Sequence, residues 1–220
     1  MKEAYKTVYE GGCGEYIVKK SRFIATVYPV DSEEAALQVV EDMKKKYWDA
    51  SHNCSAYIIG AEQSIMRCSD DGEPSKTAGK PMLDILIAHE LTNIVVVVTR
   101  YFGGTLLGTG GLVKAYQAAT LEGLNQCKVI TKELGIRTEL RTDYNLVGKL
   151  QYYFNQEQLT ILSSEYTDIV RFELLIPPSL CDQFTKKIAE LTNGSAIPDE
   201  LDKVYFTIHN GEVHLFDSCL

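Results

Sequence analysis

The stretch IVVVVTRYFGGTLLGTGGLVKAY, residues 94–116, decides the fold. Ile94 to Val98 form an unbroken β-branched run, which suits a strand covered on both faces and therefore the centre of a sheet. The run ends at Arg100, Tyr101 and Phe102. Five of the nine residues from Gly103 to Gly111 are glycine (Gly103, Gly104, Gly108, Gly110 and Gly111), and LVKAYQAATLEGL follows with Leu112, Tyr116 and Ala119 on one helical face. Strand, glycine-rich loop and helix in that order let backbone N–H groups approach a ligand, and the helix start adds partial positive charge. Such a loop suits a phosphate or another anion. Its spacing matches neither G-x-G-x-x-G nor G-x-x-x-x-G-K-[ST], and the same residues also read as a tight turn with Thr109 as helix cap. Arg100 and Lys114 flank the loop as cations able to neutralise a phosphate. Tyr101 and Phe102 could stack on a base or close the strand end as core residues.

Outward from this stretch, the first half reads strand, helix, strand, strand, helix, strand, helix. Phe23, Ala25 and Val27 alternate as in a strand, and Asp31 or Ser32 caps SEEAALQVVEDMKKKYW, whose acids lead and whose lysines trail. CSAYIIG and SIMRCS follow as strands, and PMLDILIAHEL as a helix entered through a proline. The second half reads strand IRTEL, helix NLVGKLQYYF, strands LTILSSEY and IVRFELLI, helix SLCDQFTKKIAEL and strand VYFTI. This βαββαβ order is the split arrangement of ferredoxin-like domains. His209 to Glu212 reads as a hairpin turn. The fold class is α+β, with a boundary near Leu134-Gly135 that divides the chain into 1–134 and 135–220.

The 220 residues carry a formal charge of -8, which argues against coating nucleic acid through bulk electrostatics. The charge is uneven. Residues 1–134 hold 15 Lys and Arg against 17 Asp and Glu, whereas residues 135–220 hold 7 against 13, so a phosphate contact is expected in the first half. Six cysteines without a C-x-x-C pair read as reduced thiols, and no cofactor or metal is expected. No stretch approaches the roughly 18 apolar residues of a spanning helix, and MKEAYKTVYEGG does not resemble a signal peptide. A cytoplasmic location without membrane contact is the expectation.

Three further groups are candidates. In SDDGEPSKTAGKP, residues 69–81, Asp70, Asp71 and Glu73 precede Lys76, Thr77 and Lys80. Three carboxylates in four residues could hold Mg²⁺ or Ca²⁺, but EF-hand spacing is absent, and an ordered loop whose acids accept backbone hydrogen bonds is the preferred reading. Lys19, Lys20 and Arg22 interrupt an early strand and could contact RNA or an acidic partner, or mark a bend at a sheet edge. His52 and Cys54 share a strand face, where a base and nucleophile can be imagined, although a buried thiol and a hydrogen-bonded histidine are preferred. His89-Glu90 opens like H-E-x-x-H, but Asn93 stands at the second histidine position.

KKSRFIA at 19–25, HNCSAYIIG at 52–60, DDGEPSKTAGKPML at 70–83 and VVVTRYFGGTLLGTGGLVKAY at 96–116 together resemble the YigZ/IMPACT family across essentially the whole chain. The family pattern often has a small residue where Lys76 stands, S-G-T in place of S-K-T. The resemblance implies an N-terminal left-handed β-α-β domain like those of a small-subunit ribosomal protein, the GHMP kinases and domain IV of elongation factor G, followed by a ferredoxin-like domain. It also implies a general link to translation, which eukaryotic relatives regulate with the help of a further domain. The leading functional expectation is a non-catalytic binding module. It would contact RNA, the ribosome or a translation component through Arg22, Lys80, Arg100, Lys114 and the 103–111 loop. The alternatives are a nucleotide-binding enzyme or sensor using that loop, with Asp70, Asp71 or Glu73 on Mg²⁺, and a protein-interaction adaptor.

Overall fold

A computed structural model describes residues 1–216 and divides into two compact units, Met1–Thr131 and the chain from Lys132 onward. In the first unit β2 (Gly12–Val18), β3 (Ser21–Pro29), β4 (His52–Ile59), β5 (Ile65–Ser69) and β6 (Ile94–Tyr101) form one sheet in the order β2-β3-β6-β4-β5. All four pairings are antiparallel. The β-branched run is central as expected, and its five residues from Ile94 to Val98 are fully buried. Ile94, Val96 and Val98 pack under α2 (Gly79–Ala88) and α3 (Gly108–Asn125), with Met82, Leu86, Leu112, Tyr116 and Ala119. Val95 and Val97 pack under α1 (Glu33–Lys46), with Ala36, Val40 and Met43. Each buried valine contributes about 1.5–3 kcal/mol relative to exposure. Coverage on both faces, not strand direction, is what selects such a run.

Local signals explain the ends of these elements. Ser32 is the cap of α1, its Oγ accepting from the Ala35 amide at 3.2 Å. Lys19 and Lys20 have φ of 45° and 65°, so the basic pair is the two-residue turn of the β2–β3 hairpin. A further strand, β1 (Ala4–Glu10), precedes them, where the sequence reading had none. Gly14 lets β2 lie directly against α3: a Cβ there would come within 2.4 Å of the Glu122 carbonyl carbon. Helix α2 stops at Ala88, and Glu90 has φ of 57°, so His89-Glu90 lies beyond a helix expected to include it.

The second unit contains most of β7 (Lys128–Thr142), then α4 (Val147–Gln156), β8 (Thr160–Tyr166), β9 (Val170–Ile176), α5 (Cys181–Thr192), β10 (Asp199–His209) and β11 (Glu212–Phe216). Its strands lie in the order β11-β10-β7-β9-β8. Phe184 and Ile188 of α5 pack with Leu150 and Phe154 of α4 on Leu140, Phe172 and Leu174. The neighbouring positions Arg137, Glu139, Arg141, Arg171 and Glu173 are cross-linked by ion pairs. Asn210 and Gly211, with φ of 52° and 82°, turn β10 into β11 as the sequence indicates.

Candidate functional site

The site grows from the polar loop 70–79, which is closed upon its own backbone. Asp70 Oδ1 accepts from the amides of Ala78 (3.0 Å) and Gly79 (2.8 Å), and Oδ2 from that of Lys76 (2.8 Å). Asp70 thereby caps α2, whose own N-cap residue, Ala78, offers no side-chain acceptor. Asp71 Oδ2 accepts from the Asn53 amide at 2.7 Å, and Oδ1 pairs with Lys44 at 3.1 Å. Thr77 donates to the Pro74 carbonyl. Each carboxylate has its own task, and among the described residues no three metal-ligating side chains converge.

Glu73 turns inward. Its Oε1 accepts from Arg100 Nη1 at 2.5 Å and from the Tyr116 hydroxyl at 2.8 Å. Both members of the ion pair are buried, with side-chain exposures of 3% for Glu73 and 7% for Arg100. Arg100 Cζ lies 5.3 Å from the Phe23 ring centroid and 5.5 Å from that of Phe102. The Cys54 thiol donates toward the Asp70 carbonyl at 3.0 Å, with the Tyr116 hydroxyl 3.3 Å away. Burial pushes both the Cys54 thiol and the Tyr116 phenol well above their ordinary values. A buried, protonated thiol is a poor nucleophile, so the His52–Cys54 pair gains no catalytic support.

Above this network opens a pocket of about 530 Å³. Glu73, Arg100 and Leu112 are its buried members; His52, Gly72 and Pro74 line one side, and Phe102, Leu106, Leu107, Gly108 and Thr109 the other. Phe102 is 48% exposed and Leu106 82%. Helix α3 starts at Gly108, earlier than expected, and its N-cap is Leu107, without a side-chain hydrogen bond. Thr109 is thus inside the first turn and is not the cap. The glycines divide by role. Gly103 crosses the β2–β3 turn so closely that a Cβ would lie 2.1 Å from the Lys20 carbonyl carbon, and its amide donates to Ser21 Oγ at 3.0 Å. Gly104 and Gly108 adopt φ of 82° and 71°, Gly111 faces Leu107 Cβ, and at Gly110 a Cβ would meet open space.

The candidate residues therefore separate. Arg100, Gly108 and Glu73 meet at the pocket, whereas Gly103 and Gly104 shape the loop leading to it. Arg22 pairs with Glu15 and Lys80 with Asp84, both on the surface. Lys114 is exposed and forms no ion pair among the described residues, and it does not line the pocket. Lys76 has φ of 64°, a left-handed conformation suited to the small residue of the family pattern. Tyr116 was missed as a member of the site, and His52 was weighed only as a partner of Cys54 on their shared strand face. No sequence signal joins Tyr116 to Glu73.

These features define a two-unit α/β protein with a pocket in its N-terminal unit. Residues 19–124 match the model of the Impact N-terminal domain, and residues 140–195 match that of a domain of unknown function, DUF1949. The chain is 39% identical to the IMPACT family member YvyE of Bacillus subtilis, over 93% of this chain and 94% of that protein. It is 37% identical to the IMPACT family member YigZ of Escherichia coli, over 81% and 88%. The chain belongs to the IMPACT family. Protein IMPACT of Mus musculus is 37% identical over 41% of this chain and 29% of its own length. A crystal structure described only as that of a hypothetical protein superposes with a TM-score of 0.60 at 33% identity, covering 92% of this chain and 99% of the other. No helix among the described residues is long and apolar enough to cross a membrane.

Proposed function

We propose that this chain is a non-catalytic, translation-linked binding protein of the cytoplasm whose N-terminal unit engages single-stranded RNA at the α3 pocket. The observation that carries the reading is the meeting of an uncapped helix start with an exposed aromatic ring. Free amides at Gly108 and Thr109 suit a phosphate, and Phe102 supplies a face on which a base can stack. The link to translation comes from the family. The segment shared with the mouse relative spans 41% of this chain, and the match to the Impact N-terminal domain covers residues 19–124, which supports seeking the common function in the N-terminal unit.

Structure changes the part assigned to the cations. Arg100 is held by Glu73, and Arg22 and Lys80 have carboxylate partners, which leaves Lys19, Lys20, Lys76 and Lys114 without ion pairs among the described residues. These four exposed lysines would supply the salt-sensitive part of the affinity. We assign the first unit to the left-handed β-α-β class, and the second to the ferredoxin-like class on its β10-β7-β9-β8 order. The boundary proposed at 134/135 lies close to the structural division at 131/132.

Fluorescence anisotropy with labelled single-stranded RNA at low salt tests the reading. Binding should weaken as salt rises, Lys114→Ala should lower the salt slope by about one, and Phe102→Ala should cost about ten-fold in affinity. No binding at low salt would end it.

A further inference from the structure

At this pocket His52 Nε2 and Glu73 Oε2 face one another without a hydrogen bond between them. His52 Nδ1 lies 2.8 Å from the Asp71 carbonyl oxygen. A carbonyl only accepts, so Nδ1 carries the proton, and in the neutral ring Nε2 presents a lone pair. That lone pair stands 3.9 Å from Glu73 Oε2, beyond hydrogen-bond range. Arg100 and Tyr116 occupy Oε1 of the same carboxylate, and no donor among the described residues reaches Oε2. With the ring neutral, a ligand that satisfies both atoms brings two adjacent donors. A cation is a poor choice, because Arg100 already neutralises Glu73 and would repel it. Two neighbouring hydroxyls fit the chemistry.

The same pocket also asks for an anion. Its α3 start has no side-chain cap, and the adjoining Arg100 is more than nine-tenths buried with Nε unpartnered. These are independent observations: one concerns backbone amides, the other a side chain whose buried N–H has no acceptor. A volume of about 530 Å³ falls within the usual range for small-ligand pockets. A vicinal diol, a phosphate and a flat apolar group for Phe102 are together the parts of a ribonucleotide with a free 2′,3′-diol. Within an RNA chain only the 3′ end has that diol. Resting on the RNA-binding reading above, we propose that the pocket is a 3′-end site, in which His52 Nε2 and Glu73 Oε2 accept from the terminal ribose hydroxyls and the α3 amides receive the terminal nucleotide's 5′ phosphate. The paired acceptors would give selectivity for RNA over DNA, as groups reading the 2′-hydroxyl do.

The test uses the full chain and 5′-labelled six-residue RNAs that differ only at the last sugar: unmodified, 2′,3′-dideoxy, or 3′-phosphorylated. Removing or blocking the hydroxyls should weaken binding about ten-fold or more, since hydrogen bonds to a charged acceptor are involved. His52→Ala should bind all three at a similar, weaker level, with its melting temperature reporting that it folds. The end-modified RNAs test the unaltered protein, so the outcome does not depend on that variant. Equal affinity for all three ends would overturn end recognition while leaving RNA binding intact. Adenosine monophosphate competing as tightly as the oligomer would assign the pocket to free nucleotides and overturn the RNA-end assignment. Absence of binding to every RNA would overturn both readings.

Discussion

The charged loop 70–79 and the glycine-rich loop 103–111 of the N-terminal unit behave in opposite ways. In the loop 70–79 every carboxylate holds the protein's own donors, Asp70 three amides, Asp71 Asn53 and Lys44, and Glu73 Arg100 and Tyr116 through Oε1, with Glu73 Oε2 alone turned to the pocket. In the loop 103–111 the Gly103 amide donates to Ser21 Oγ, and the helix start beyond it has no side-chain acceptor. One loop is a brace and the other is an opening. Carboxylates order the first loop and glycines shape the second, and the place for a ligand is where hydrogen-bonding capacity is left over.

Substitutions can break or sharpen this contrast. The largest effect is expected from Glu73→Ala, which strands the Arg100 charge in the interior and should cost about 3–5 kcal/mol in denaturant unfolding. A loss below 1 kcal/mol would show that the brace carries little. A smaller effect, of opposite sign, is expected at Lys76. Its φ of 64° is costly for any side chain, so Lys76→Gly should raise stability by about 1 kcal/mol while keeping the amide bond to Asp70. Smallest is Gly110→Ala in the opening, where a Cβ meets nothing; helix propensity should add about 0.5 kcal/mol, read as a small rise in melting temperature.

Much of the fold was legible because it follows periodicity. The Ile94–Val98 run announced a central strand, SEEAALQVV announced a capped helix, and the second half showed its βαββαβ order in hydrophobic spacing alone. Strand β1 was not read, although its burial alternates in part and Gly11-Gly12 marks its end. The site was legible only in pieces. Glycine density pointed to the correct loop, yet Arg100, read as a free cation, is joined to Glu73 by a contact 27 residues apart in sequence, and Tyr116 by one of 43. Such pairings arise only when β6, α3 and the 70–79 loop are brought together. No local pattern encodes them.

The central claim is that the first turn of α3 is where RNA phosphate is received. Amide chemical shifts followed during titration of ¹⁵N-labelled protein with single-stranded RNA test it most directly. The account predicts saturable shifts at Gly108, Thr109, Gly110 and Gly111, together with Phe102, while the Lys76, Ala78 and Gly79 amides held by Asp70 stay in place. Shifts confined to the exposed lysines, with the α3 start unmoved, would contradict it.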